Sequence, residues 1–100
     1  MTAAEIIARL KSMEPELRSA GVGALYLFGS RARGDHRPDS DIDLLFEVAP
    51  EADRCFSIWD QAGILARLSE ELPVGVDFVE RQALRPRVRA YVEPDLIRLF

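Results

Sequence analysis

Between Leu25 and Leu45 the chain passes twice through apolar runs of strand length, and two acids, Asp41 and Asp43, interrupt the second. The first run, Leu25 to Phe28, stops at Gly29-Ser30, the pattern of a buried strand that delivers a tight turn. A polar connector containing Gly34 and Pro38 follows. Strand side chains alternate between faces, so Asp41 and Asp43 are expected on one face, about 7 Å apart along the backbone. Such a pair reaches ions about 3.5 to 4 Å apart, the spacing of a two-metal phosphoryl-transfer site. A third acid, Asp77, breaks another apolar strand, Val74 to Val79. Three carboxylates on adjacent strands repel unless a cation lies between them, so something positive is expected there.

Gly29-Ser30, ten intervening residues, Asp41-Ile42-Asp43 and the isolated strand residue Asp77 together resemble the minimal nucleotidyltransferase family of the DNA polymerase beta superfamily. Ala32-Arg33-Gly34 after the turn and Ser40 before the acids extend the likeness, which covers essentially the whole chain. The resemblance implies an α/β (α+β) fold: a small mixed sheet of three to four strands flanked by about four helices. It implies ATP as substrate and two Mg²⁺ ions on Asp41, Asp43 and Asp77, with Gly29, Ser30 and Arg33 on the nucleotide. Short stand-alone members resemble antitoxins that transfer AMP from ATP to a tyrosine of a HEPN-domain ribonuclease toxin, so such a toxin is the implied partner.

The residues leave simpler readings open. Ser30 could serve only as a helix cap. Arg31, Arg33 and Arg37 bracket the turn and its connector, where an arginine fork suits phosphate, but Arg33 could equally pair with Asp35 or Asp39. Asp77 could be held by an arginine instead of a cation. His36, the only histidine, reads as an exposed loop residue. Two rival functions also stand: a non-catalytic antitoxin that masks its partner, and transfer to a small-molecule hydroxyl.

A chain of 100 residues has room for one domain, 1–100, and for little beyond a three- or four-stranded sheet with its helices. The net charge of −4 disfavours duplex nucleic acid as a partner, which needs basic surface. With Cys55 as the sole cysteine, neither an internal disulfide nor a cysteine metal cluster can form. No apolar segment is of membrane-spanning length, and Met1 to Glu5 lacks the features of a signal peptide, so a cytoplasmic location is expected.

In chain order, Thr2 and Glu5 make a capping box for a helix to about Ser19, with a kink or restart near Glu14 because of Pro15. Strands are expected at Ala24–Phe28, Ile42–Val48 and Pro73–Glu80, with a short last one within Leu96–Phe100. A long helix is expected from Asp53 to Leu72. Phased at 100° per residue, it would bury Cys55, Ile58, Trp59, Ala62, Leu65, Ala66 and Leu72. Phe56, Ile64 and Leu68 would lie off that stripe, under a neighbouring helix or as an oligomer contact. A last helix from Gln82 would turn Leu84, Val88, Tyr91 and Val92 inward and Arg81, Arg85 and Arg89 outward.

Overall fold

In the computed structural model, which describes residues 1–100, β1 (Val22–Phe28), β2 (Ile42–Val48), β3 (Val76–Glu80) and β4 (Ile97–Arg98) form one mixed sheet in the order β3-β2-β1-β4. β1 lies between β2 and β4, antiparallel to both, and this interior place suits the apolar character of both its faces. β2 and β3 run parallel, and a parallel pair needs a crossover, here the helix α4 (Ile58–Glu71). The small mixed α/β sheet flanked by helices is the architecture expected from the sequence, with five α-helices where about four are expected.

The first helical region divides where Pro15 requires it, into α1 (Ala3–Ser12) and α2 (Glu14–Ser19). Thr2 and Glu5 form the anticipated reciprocal cap, with bonds of 3.2 and 3.1 Å. On one face of the sheet these helices and α4 enclose the main core, built on Leu10, Leu25, Leu44, Phe46 and Leu68. Phe78 stacks on Phe46 there, ring centroids 4.1 Å apart. The opposite face carries a smaller cluster of Ala24, Tyr26 and Leu45. It is covered by Leu84 and by α5 (Pro86–Val92) with the 3-10 turn after it, through Val92 and Leu96.

Two expectations fail through helix phase. α4 begins at Ile58 because Ser57 and Asp60 form a second capping box, the Ser57 amide donating to the Asp60 carboxylate at 2.8 Å. Residues 50–52 form a separate 3-10 turn, so Cys55 and Phe56 precede the helix and cannot set its phase. Ile64, Leu68 and Leu72, at spacing four, are the buried stripe, whereas Ile58 and Trp59 are 76% and 82% exposed and Cys55, Ala62 and Ala66 lie outside the core. Phe56 is half-buried against Phe46. An oligomer contact through Phe56, Ile64 and Leu68 is therefore ruled out: these side chains are committed to the protein's own interior.

The second failure is at α5, which starts at Pro86 after a 3-10 turn at Arg81–Ala83. Val88 and Tyr91 face outward, with Tyr91 80% exposed. Arg81 is instead drawn in, donating to Glu47 at 2.7 Å, to Glu93 and to the Tyr26 hydroxyl at 3.3 Å. His36, expected to be exposed, is instead half-buried, with Nδ1 enclosed and lacking a hydrogen-bond partner.

Candidate active site

The register of the central strands brings the three acids to one end of one face. Phe28 pairs with Asp43 across β1–β2, and Asp43 pairs with Asp77 across β2–β3. Aligned residues on paired strands share a face, so Asp43 and Asp77 project together. Asp41, two residues earlier, projects with them. The same face carries Leu45 and Tyr26, and the main core lies behind it.

Two glycines make room for these carboxylates. Gly29 ends β1 at φ +74°, a conformation that side chains resist, and a Cβ there would come within 2.2 Å of Asp43 Oδ2. A Cβ on Gly75 would meet Asp41 Oδ1 at 2.6 Å. The Gly75 carbonyl accepts from the Ile42 amide at 2.8 Å, which fastens the start of β2 beside that glycine. Gly75 carries no sequence signal of its own until Asp41 is placed opposite it.

Gly29 is also the N-cap of the single-turn helix α3 (Ser30–Arg33), whose first amides have no intrahelical partner. Ser30 therefore stands at the corner beside Asp43. Of the nearby arginines, Arg31 has turned inward. It is 6% exposed and donates from Nε and Nη2 to the Ser40 carbonyl at 3.2 and 2.9 Å, and from Nη2 to Pro38 at 3.4 Å. That arginine is thus a clasp holding the connector that delivers Asp41, a role its sequence context does not distinguish from Arg33. Arg33 remains exposed, paired with Asp35 at 3.2 Å and near Asp95 at 3.7 Å. Arg37 is exposed, and its amide donates to Ser40 Oγ at 2.8 Å.

The electrostatics of the row are those of acids short of positive charge. Burial pushes the Asp43 carboxyl up to about 6, reinforced by hydrogen bonding and repulsion from Asp77 and by repulsion from Asp41, against a smaller opposing pull from Arg33. Arg33 itself is held above its ordinary value, chiefly by its bond to Asp35. Asp77 has no arginine partner among the ion pairs, so that simpler reading lapses.

Hard carboxylate oxygens with unrelieved mutual repulsion suit a divalent cation such as Mg²⁺. Asp41, Asp43 and Asp77 do not close into a three-residue metal cluster. A Mg²⁺ ion here would need oxygens from elsewhere, such as substrate phosphates, beside one or two of the carboxylates. A concavity of about 470 Å³ between α2 and α4 is lined by none of these acids.

Residues 4–99 match the family model for the nucleotidyltransferase domain. The chain belongs to that family. This nucleotidyltransferase is 32% identical, over 77 residues, to MJ1379 of Methanocaldococcus jannaschii, which bears the provisional name of a protein adenylyltransferase; the match spans 76% of this chain and 75% of the relative. A solved structure provisionally described as a minimal nucleotidyltransferase superposes with a TM-score of 0.81 at 32% identity, over 97% of this chain and 95% of that one. A crystal structure of a toxin-antitoxin with AMP-PNP superposes with a TM-score of 0.72 over 92% of this chain and 72% of that one. At 22% identity the latter likeness is one of fold.

Proposed function

We propose that this nucleotidyltransferase is an antitoxin that transfers AMP from ATP to a tyrosine hydroxyl of a HEPN-type partner toxin. The observation that carries the reading is the row of Asp41, Asp43 and Asp77 beside the Gly29-Ser30 corner, with the Asp43 carboxyl raised to about 6 by burial and by its acidic neighbours. A relative named for protein adenylyltransferase activity and a structural neighbour from a toxin-antitoxin pair support the choice of acceptor.

In this reading Asp41, Asp43 and Asp77 hold two Mg²⁺ ions. When bound, the ions polarise the phosphate oxygens and stabilise the charge on the leaving group. Gly29 and the opening amides of α3, with the Ser30 hydroxyl and Arg33, orient the triphosphate. The acceptor oxygen bonds to the α-phosphorus as the bond to the β-phosphate's bridging oxygen breaks. Pyrophosphate leaves, and Asp77 accepts the hydroxyl proton. No covalent enzyme intermediate is needed. In this reading the second protein completes the acceptor side.

The test is incubation of the chain with α-labelled ATP, Mg²⁺ and a candidate HEPN partner. Label on a partner tyrosine, lost in Asp43→Ala and on chelation of the metal, is the expected result. Protection from the toxin without label would mean masking, and label confined to a small molecule would move the acceptor out of the protein class. Either outcome overturns the reading.

A further inference from the structure

Tyr91 belongs by its position to the site rather than to the bare surface. The stretch from α5 through the 3-10 turn at Glu93–Asp95 leads into β4, whose Ile97 pairs with Leu27 beside Phe28, at the end of the sheet where Asp43 lies. Val92 and Leu96 pin it to the small cluster that Phe28, the partner of Asp43 across β1–β2, also packs against. Asp95, four residues after Tyr91, reaches Arg33 at 3.7 Å, tying this stretch to α3. Tyr91 thus stands on the β1 flank of the carboxylate row, beside Arg33, while Asp77 occupies the opposite flank on edge strand β3. The phenol is near enough to Arg33 to contribute to the rise of its pKa.

The chain has one other tyrosine, and it is unavailable. Tyr26 is 8% exposed, with its hydroxyl held by Glu47 and Arg81. Trp59 is exposed, but on α4, across the sheet from the acids. Phe28 on the carboxylate face is half-buried against the small cluster, and Tyr91, at 80% exposure, is the more open ring on that side.

Resting on the reading of this site as a nucleotide site, we infer that Tyr91 is a base subsite: its ring stacks on the nucleobase of a triphosphate held by α3 and Arg33. With the acceptor on the Asp77 flank, the nucleoside has the β1 flank, where this ring is the available aromatic surface. Stacking on one aromatic ring tolerates any base and contributes enough that truncation to alanine weakens binding about tenfold or more.

The experiment is calorimetric titration of wild type, Tyr91→Ala and Tyr91→Phe with two Mg²⁺-bound ligands: α,β-methylene ATP, which cannot transfer, and inorganic tripolyphosphate, which has no base. The expected result is that Tyr91→Ala loses about tenfold or more in affinity for the ATP analogue and nothing for tripolyphosphate, while Tyr91→Phe binds both like wild type. Equal binding of the analogue by wild type and Tyr91→Ala overturns the base subsite and leaves the nucleotide site standing. Parallel loss of both ligands also overturns it, since Tyr91 would then be acting through Arg33. Wild type that binds neither ligand removes the nucleotide reading and this inference together.

Discussion

Asp43 and Asp77 are direct partners across the parallel β2–β3 pairing, and the fold gathers their charges without an arginine between them. Burial and this neighbour raise Asp43 to about 6 from an ordinary 3.8, so folding makes ionisation of this carboxyl harder than it is in the unfolded chain. An acid raised on folding weakens the native state where it must ionise. The penalty is absent below about 3.8, grows as pH rises through that window and is complete above about 6. Asp43→Asn should therefore stabilise the ion-free protein at pH 7.5, by about 1–2 kcal/mol once screening at this partly exposed site is allowed for. The gain should vanish near pH 4, and the variant should lose the stabilisation that Mg²⁺ and ATP give wild type. Thermal melts at both pH values, with and without the ligands, check it.

Gly29 is constrained twice over, by φ +74° and by the Asp43 oxygen 2.2 Å from any Cβ. Gly29→Ala should cost about 1–3 kcal/mol, with the Asp43 side chain driven out of its place. Gly34, also at positive φ but with open space around it, should lose only the backbone part when changed to Ala, about 1 kcal/mol, and keep its affinity for Mg²⁺-ATP. Denaturant melts and ATP titrations of the two variants separate collision from strain.

The carboxylate row is legible in the chain because strand alternation is a period of two, which three residues suffice to define, and because β2 is apolar apart from Asp43 and Glu47. Pro15 and the Thr2–Glu5 cap mark helix ends by local rules that tertiary packing does not change. α4 is less legible because Ile58 and Trp59 are apolar yet exposed, so a stripe phased on them points away from the core. The Ser57–Asp60 capping box is the signal that would have set the start correctly. Arg31 and Arg33 cannot be told apart in sequence, since which one turns inward depends on where the Pro38 and Ser40 carbonyls fall.

The corrected phase of α4 has a direct check. Leu68 is fully buried, so Leu68→Ala should cost about 2–5 kcal/mol, whereas Trp59→Ala, at a position 82% exposed, should change stability by less than about 0.5 kcal/mol. Urea midpoints of the two variants decide it. The reverse order would restore the stripe through Ile58 and Trp59 as the core.

Arg31 and Arg33 should separate stability from binding. Arg31 is buried and bonded to backbone carbonyls on both sides of Asp39, so Arg31→Met should cost about 2–3 kcal/mol and loosen the connector that delivers Asp41. Weaker Mg²⁺-ATP binding would follow indirectly, and Arg31→Lys, with one compact donor group in place of the fork, should recover part of it. Arg33 is exposed and its carboxylate partners are surface residues, so Arg33→Gln should leave the melting temperature essentially unchanged. It should nevertheless weaken ATP about tenfold or more by removing a charged donor from the phosphates. Melting curves and ATP titrations on the same preparations test the split, and an Arg33→Gln variant that binds ATP like wild type would take Arg33 out of the site.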